Sequence, residues 1–373
     1  MFEEVLALNK CFESIDWLIE NSTIRSVTNV TITVAGYGEL EMVKKLVAYY
    51  EKRERTSAPK ILFTEAAAAK NQVHVINHFL KEGVPLAPRV VEAAASTGEE
   101  SLMEFMLSNG CDKDDGSVYV GAAANGHVNI MKWSVKHGFR WPSSKVLARV
   151  YKKAARNGHL SVLQWAELEI WKSHALYIDV LQHNDKIFTA AAKSNQQEVI
   201  KWLKNNGFLF DSDIIKHLAR HGLKAVLWGM EEGFHLNDSV PLVAIKNQDM
   251  ELLKWCFDNH LVAHDEEVLT ELAAKHGNLS ALEYMVIEKK FAIGDIGAAA
   301  SGKGHIHILE WALKYKNPCY IFSMWAAICG GQLPTIIWLL DHDCPMPLDS
   351  LATATKYNQP HIFKWLHDNV YTI

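Results

Sequence analysis

Nine of the twelve tryptophans in this chain occupy one position of a recurring pattern, and that regularity limits the possible folds more than any other feature. The pattern is clearest in NGHVNIMKW (125–133), NGHLSVLQW (157–165) and KGHIHILEW (303–311). Each has a glycine, an apolar residue two positions on, and tryptophan at the seventh. Weaker copies end at Trp202, Trp228, Trp255, Trp338 and Trp365, and Trp17 fits one more at the N-terminus. Lys45, His78, Phe105 and Tyr284 take the same slot elsewhere. Most intervals between slots are 26–29 residues, with three longer ones of 33, 32 and 37. A period of this size marks a stacked-repeat architecture.

Each unit reads as a helical hairpin. Alanine-rich segments such as GAAA (121–124) and TAAAK (189–193) favour helix and permit close approach of neighbouring helices. The glycine then ends the first helix. Val128, Ile130, Met131 and Trp133 form the apolar stripe of a second helix. A further break follows five residues past the slot, at Gly83, Gly110, Gly138, Gly207 and Gly233. Short polar runs, Asp211-Ser212-Asp213 and Asn237-Asp238-Ser239, supply N-cap candidates. No segment reads as a strand. A hairpin of about 27 residues has too little partner surface to bury its apolar face, so it must stack on its neighbours. The expected fold is therefore an all-α solenoid of about 12–13 repeats with little or no β-structure, a single domain over 1–373 with capping repeats at about 1–27 and 348–373. Trp17, Trp133, Trp165, Trp202, Trp228, Trp255, Trp311, Trp338 and Trp365 form its expected core, wedged between repeats.

The units AAANGHVNIMKW with HGFRWP, AARNGHLSVLQW, KWLKNNGFLFD (201–211) and WLLDHDCPMP (338–347) resemble those of ankyrin repeat proteins. The match is to the short-period variety found in protists and in large DNA viruses of amoebae, and it covers nearly the whole chain. The tetrapeptide T-P-L-H of ordinary ankyrin units is missing, and SVYV (117–120) stands in its place. The resemblance implies a protein-binding scaffold or adaptor in the cytoplasm, or in a host cytoplasm or nucleus if the chain is viral. Recognition would run through first-helix side chains on a concave face and through long loops. It also implies an alternative role, substrate recognition for a ubiquitin ligase through another chain.

Composition excludes several other classes. Net charge is only −5 and no apolar run approaches the roughly 20 residues of a membrane span, so no membrane partner is expected. The N-terminus, MFEEVLALNK, lacks the basic region of a signal peptide. The six cysteines are scattered, which fits reduced thiols rather than a zinc module. GAAASGKG (297–304) approaches the phosphate-loop pattern, yet Gly304 is the inter-helix glycine of its repeat and no strand precedes the segment. His127, His159 and His305 follow that glycine in three repeats, which points to a turn hydrogen bond rather than to catalysis. His74 and His78 share a helix face with spacing suited to zinc, but lack a third ligand. No enzyme, cofactor or metal site is expected.

The charge layout is uneven. Gly116 to Ala166 holds no Asp or Glu but eight bases, Lys132, Lys136, Arg140, Lys145, Arg149, Lys152, Lys153 and Arg156. Segment 231–271 is the reverse, with ten acids. A basic patch over residues 132–156 suits an acidic protein partner. It supports nucleic-acid binding as an alternative; few aromatics interleave with the bases, so nucleic acid is not the expected partner. The long intervals 48–60, 138–153 and 167–186 are expected to be loops on the binding face, the last containing Trp171, a tryptophan outside the register. The expected contact residues are Arg140, Lys145, Arg149, Lys152, Lys153, Arg156 and Trp171, on a monomer.

Overall fold

The computed structural model describes residues 24–54, 59–170, 185–315 and 321–371. Among them are 24 α-helices and no strand. Contacts divide the chain into two compact units, Met1–Asp211 and Ser212–Ile373. In the first unit the helices run in pairs: α1 (Ile24–Tyr37) and α2 (Leu40–Glu54), α3 (Lys60–Ala68) and α4 (Val73–Lys81), α5 (Pro88–Ala95) and α6 (Glu100–Ser108). They continue with α7 (Ser117–Asn125) and α8 (Val128–Lys136), α9 (Ser144–Asn157) and α10 (Leu160–Ile170), α11 (Asp185–Lys193) and α12 (Gln197–Asn205). The second unit pairs α13 (Ile214–Leu218) with α14 (Leu223–Glu231), α15 (Ser239–Lys246) with α16 (Met250–Asp258), and α17 (Glu266–Lys275) with α18 (Leu279–Glu283). Then come α19 (Ile296–Ser301) with α20 (Ile306–Lys314), α21 (Ile321–Cys329) with α22 (Leu333–Asp341), and α23 (Ser350–Lys356) with α24 (Pro360–Asn369). The fold is a helical-hairpin repeat solenoid.

Both turns of the hairpin are built by the same backbone device. At the second turn, Gly138 has φ 76° and its N–H donates to Val135 O, while the Phe139 N–H donates to Ser134 O. These two bonds close the last turn of α8 and satisfy carbonyls that the helix leaves orphaned. The residue after the left-handed one then turns inward, so Val84, Cys111, Phe139, Phe208, Phe234 and Cys344 are buried. At the first turn, the residue six before the slot donates its N–H to a buried alanine carbonyl, as in His127 to Ala122, His159 to Ala154 and His305 to Ala300. Where glycine is missing from the left-handed position, Asn71, Asn195, Gln248 and Asn358 adopt it instead. At the next helix start, Asp249 and Asp265 accept backbone N–H bonds as side-chain caps. The expected cap at Asp213 makes no such bond.

Within each unit the odd-numbered helices pack on one another in one layer, and each even-numbered helix lies against its own partner in a second layer. Odd helices bury two adjacent pairs per turn and a half, for example Val90, Val91, Ala94 and Ala95. Even helices bury the residues three before, two before and one after the slot: Val199, Ile200 and Leu203 in α12, Leu252, Leu253 and Cys256 in α16. The slot itself lies at the edge of this stripe. Trp133 and Trp311 are 5% exposed, but Trp165, Trp202, Trp228, Trp255, Trp338 and Trp365 are only half-buried. Their rings pack against the second turn of their own repeat, as Trp133 does on His137 and Phe139 and Trp338 on His342. The indole therefore closes its own hairpin at least as much as it joins repeats. Trp17 lies outside the described residues.

Polar bonds add to this apolar packing between repeats. His127 Nε2 bonds the Ser96 carbonyl (3.1 Å), His159 Nε2 that of Ala124 (3.0 Å), and His305 Nε2 that of Lys275 (3.2 Å). Gln359 Nε2 donates to Cys329 O in the same register (3.2 Å). Each acceptor lies at the C-terminal end of the preceding repeat's first helix, where carbonyls lack intrahelical partners. Two residues further on, Asn129, His307 and His361 bond the glycine carbonyls of Gly98, Gly277 and Gly331. The expected turn bond of the histidines is thus an inter-repeat clamp. It also adds a second demand on glycine: a Cβ at Gly126 would lie 2.7 Å from His159 Nδ1, and one at Gly98 2.5 Å from His127 Nδ1.

Candidate functional site

The clamps use none of the bases exposed on the first helices. On α9 the exposed face is strongly basic. Lys145, Arg149, Lys152 and Arg156 recur at intervals of four, three and four residues, which places them on one stripe with Lys153 beside it. All five are exposed, and Leu147, Val150, Tyr151, Ala154 and Ala155 fill the opposite, buried face. Helix α9 has 14 residues, longer than any other first helix except α1. Most of the expected loop 138–153 is therefore helix, because its apolar residues repeat at helical rather than irregular spacing. Likewise residues 48–54 belong to α2.

One acid enters this stripe from outside the acid-free window. Glu92 of α5 pairs with Arg149 Nη2 at 3.1 Å and faces Lys153 Nζ at 3.9 Å. It reaches across α7, which lies low between α5 and α9. A Cβ at Gly121 would come within 2.0 Å of the Glu92 carbonyl oxygen, so only glycine allows that helix to approach so closely. The result is a shallow groove of about 530 Å³ lined by Glu65, Arg89, Glu92, Gly121, Ala124 and Lys153. Exposed pairs of this kind contribute little to stability, roughly 0–1 kcal/mol. Among the described residues, Lys145, Lys152 and Arg156 have no ion-pair partner and are free to meet another charge.

The other predicted residues lie elsewhere. Lys132 and Lys136 belong to α8 in the second layer, and Arg140 follows its turn, with its N–H donating to Lys113 O (3.0 Å). The basic window thus divides between layers rather than forming one patch. Trp171 falls outside the described residues. The sequence reading missed Lys186 and Lys193, which sit on α11 at the register of Arg149 and Arg156 and continue the basic face into the next repeat. Counting bases from the tryptophan slot rather than along the chain exposes that signal.

Among the described residues, the cysteines Cys256 and Cys111 and the histidines His74 and His78 are engaged structurally. Burial pushes the Cys256 thiol up to about 12 and the Cys111 thiol up to about 11, with Asp249 and Asp115 adding to the respective shifts, so both stay protonated. His74 Nε2 is engaged by Gly38 O, and His78 Nε2 lies 3.1 Å from Glu82 Oε1. Among the described residues no three His, Cys, Asp or Glu side chains are grouped to hold a metal. In GAAASGKG, Gly304 has φ 79° at a repeat turn and its preceding helix is α19, a framework without the strand a phosphate loop requires. Among the described residues no helix is long and apolar enough to cross a membrane.

No known family profile and no curated protein matches this sequence. Among solved structures, the chain is similar to the pentatricopeptide repeat protein PPR10 in complex with an 18-nt psaJ RNA element. Identity there is 10% and the TM-score 0.30, over 92% of this chain and 62% of that one. It is also similar to PPR10 from maize, at 12% identity and TM-score 0.28, over 99% of this chain and 62% of that one. The chain thus spans less than two thirds of the length of these neighbours. One expectation is corrected here: with a neighbour solved on RNA, nucleic acid is not set aside as a partner.

Proposed function

We propose that this chain is a non-catalytic binding scaffold, an ankyrin-type array whose working surface is the exposed face of its first helices. The observation that supports this most directly is the α9 stripe. Lys145, Lys152 and Arg156 are solvated, unpaired and fixed on a helix whose opposite side is fully buried. The helix fixes their backbone in advance, so a partner has only the side chains to order, at roughly 0.5–1.5 kcal/mol each. The ankyrin assignment is supported by the short period, the alanines at the first helix end and the left-handed residue before the second helix.

Positive charge gathered on one face selects a partner with clustered negative charge. An acidic protein segment is the first reading, because Glu92 stands inside the stripe and would repel a continuous phosphate track. A single-stranded nucleic acid is the second, supported by the unpaired bases and by their continuation to Lys186.

Affinity capture from the native cell with the full chain tests both. Capture of a partner should be lost in the triple variant K145E/K152E/R156E, with its thermal midpoint unchanged. Undiminished capture by that variant overturns the proposal. For nucleic acid, log affinity should fall with log salt at about −0.7 per phosphate neutralised. Nuclease treatment before capture separates the two partner classes.

A further inference from the structure

The second unit carries its own surface, made by three adjacent first helices. Lys246 closes α15, Lys275 closes α17, and Lys303 follows α19 by two residues. All three are exposed, and among the described residues none has an ion-pair partner. They line one open groove of about 700 Å³, together with Leu242, Val268 and Leu272. Bases at helix C-termini complement the helix dipole, which by itself accounts for scattered lysines at this register. It does not account for three that line one aliphatic groove.

The field of these lysines is felt nearby. The His276 pKa lies below its ordinary value, first because of burial and then because of Lys246, Lys275, His305 and Lys303. The carboxylates in the groove offset part of this charge, two acids, Glu271 and Asp295, against the three lysines. Glu271 Oε1 accepts the Asp295 N–H at 3.1 Å, and Asp295 Oδ1 accepts the Ala298 N–H at 3.1 Å. Both acids also fix the start of α19, and the row keeps the excess positive charge.

We propose that this groove binds an extended acidic peptide segment of a partner protein, with acidic side chains at every third residue seated on Lys246, Lys275 and Lys303. Packed helices lie roughly 8–10 Å apart, which sets the spacing of the row. A polyproline II strand advances about 9 Å in three residues, so every third side chain falls on one edge in step with that spacing. The residues between contact the aliphatic floor. Single-stranded RNA fits less well, because base stacking needs aromatic platforms and the groove offers Leu242, Val268 and Leu272.

The inference rests on the scaffold reading but not on α9. Its test is fluorescence anisotropy of the full chain with a fluorescein-labelled peptide of Glu-Leu-Pro repeats. A peptide of the same composition with its glutamates consecutive, and an oligouridylate of equal charge, serve as comparison probes. The repeat peptide should bind more tightly than both. Lys275→Glu should weaken it at least tenfold and Lys275→Gln less, with thermal midpoint and partner capture through α9 unchanged. Equal binding by Lys275→Glu, no preference over the consecutive-glutamate peptide, or tighter Lys275-dependent binding of the oligouridylate would each overturn the proposal.

Discussion

At the scale of single residues, the position after the first turn does two jobs. In His305 the backbone N–H completes the turn on Ala300 O, while Nε2 reaches the Lys275 carbonyl of the preceding repeat. Burial first, then His307 and Lys303, hold the ring's pKa below its ordinary value, with the Lys275 carbonyl opposing. A histidine whose folded pKa is lowered binds protons more readily when unfolded, so stability falls as pH drops through about 6.5 and levels off below the folded value. His276 is shifted in the same direction. His305→Gln should keep the clamp, because Gln359 makes the equivalent bond, and should flatten the dependence of the urea midpoint on pH. An unchanged pH profile would show that this ring does not titrate with folding. Gly126→Ala should cost at least ~1 kcal/mol for the left-handed backbone alone, read from the same urea transitions. The glycine and histidine positions were legible in the sequence. Their partners were not, since a bond spanning 30 or more residues leaves no local pattern.

At the scale of helices, the sequence revealed the hairpins but misjudged their depth. Tryptophan is the most conspicuous residue of most second helices, yet the deepest positions are smaller residues three before, two before and one after it. Leu253→Ala in α16 removes a completely buried side chain and should cost about 2–5 kcal/mol. Trp255→Ala beside it should cost less, because that ring is only half-buried, whereas Trp133→Ala should approach ~3–5 kcal/mol. Denaturant titration of the three variants checks that order, and Trp255→Ala exceeding Leu253→Ala would contradict the layering. Periodicity identifies which side of a helix turns inward but not how far a large ring extends beyond the stripe. The charge of α9 was legible as a run of bases without an acid, but its stripe was not, because 138–153 was expected to be a loop. Glu92 was not, because α7 had first to sink between α5 and α9 before its carboxylate met Arg149.

At the scale of the molecule, adjacent repeats within a unit meet at joints such as His159 on Ala124, so energetic coupling should follow adjacency. Gly126→Ala and His159→Ala alter one joint, since an added Cβ at 126 would strike the 159 ring. Their double-mutant cycle should show a coupling of about 0.5 kcal/mol or more. Gly126→Ala with His74→Ala, whose clamp is on Gly38, should add within ~0.3–0.5 kcal/mol. Non-additivity in the distant pair would reveal cooperativity beyond nearest neighbours. The period made the repeat order legible, whereas the grouping into two units was not, because no change of composition marks Asp211 and Ser212. Within each unit, the fastening of repeats by histidines, glutamines and asparagines, rather than by the bases of the open face, has a further outcome. Selection can rewrite the lettering of that face one repeat at a time while the binding of the book stays intact, so relatives sharing this spine need share no readership.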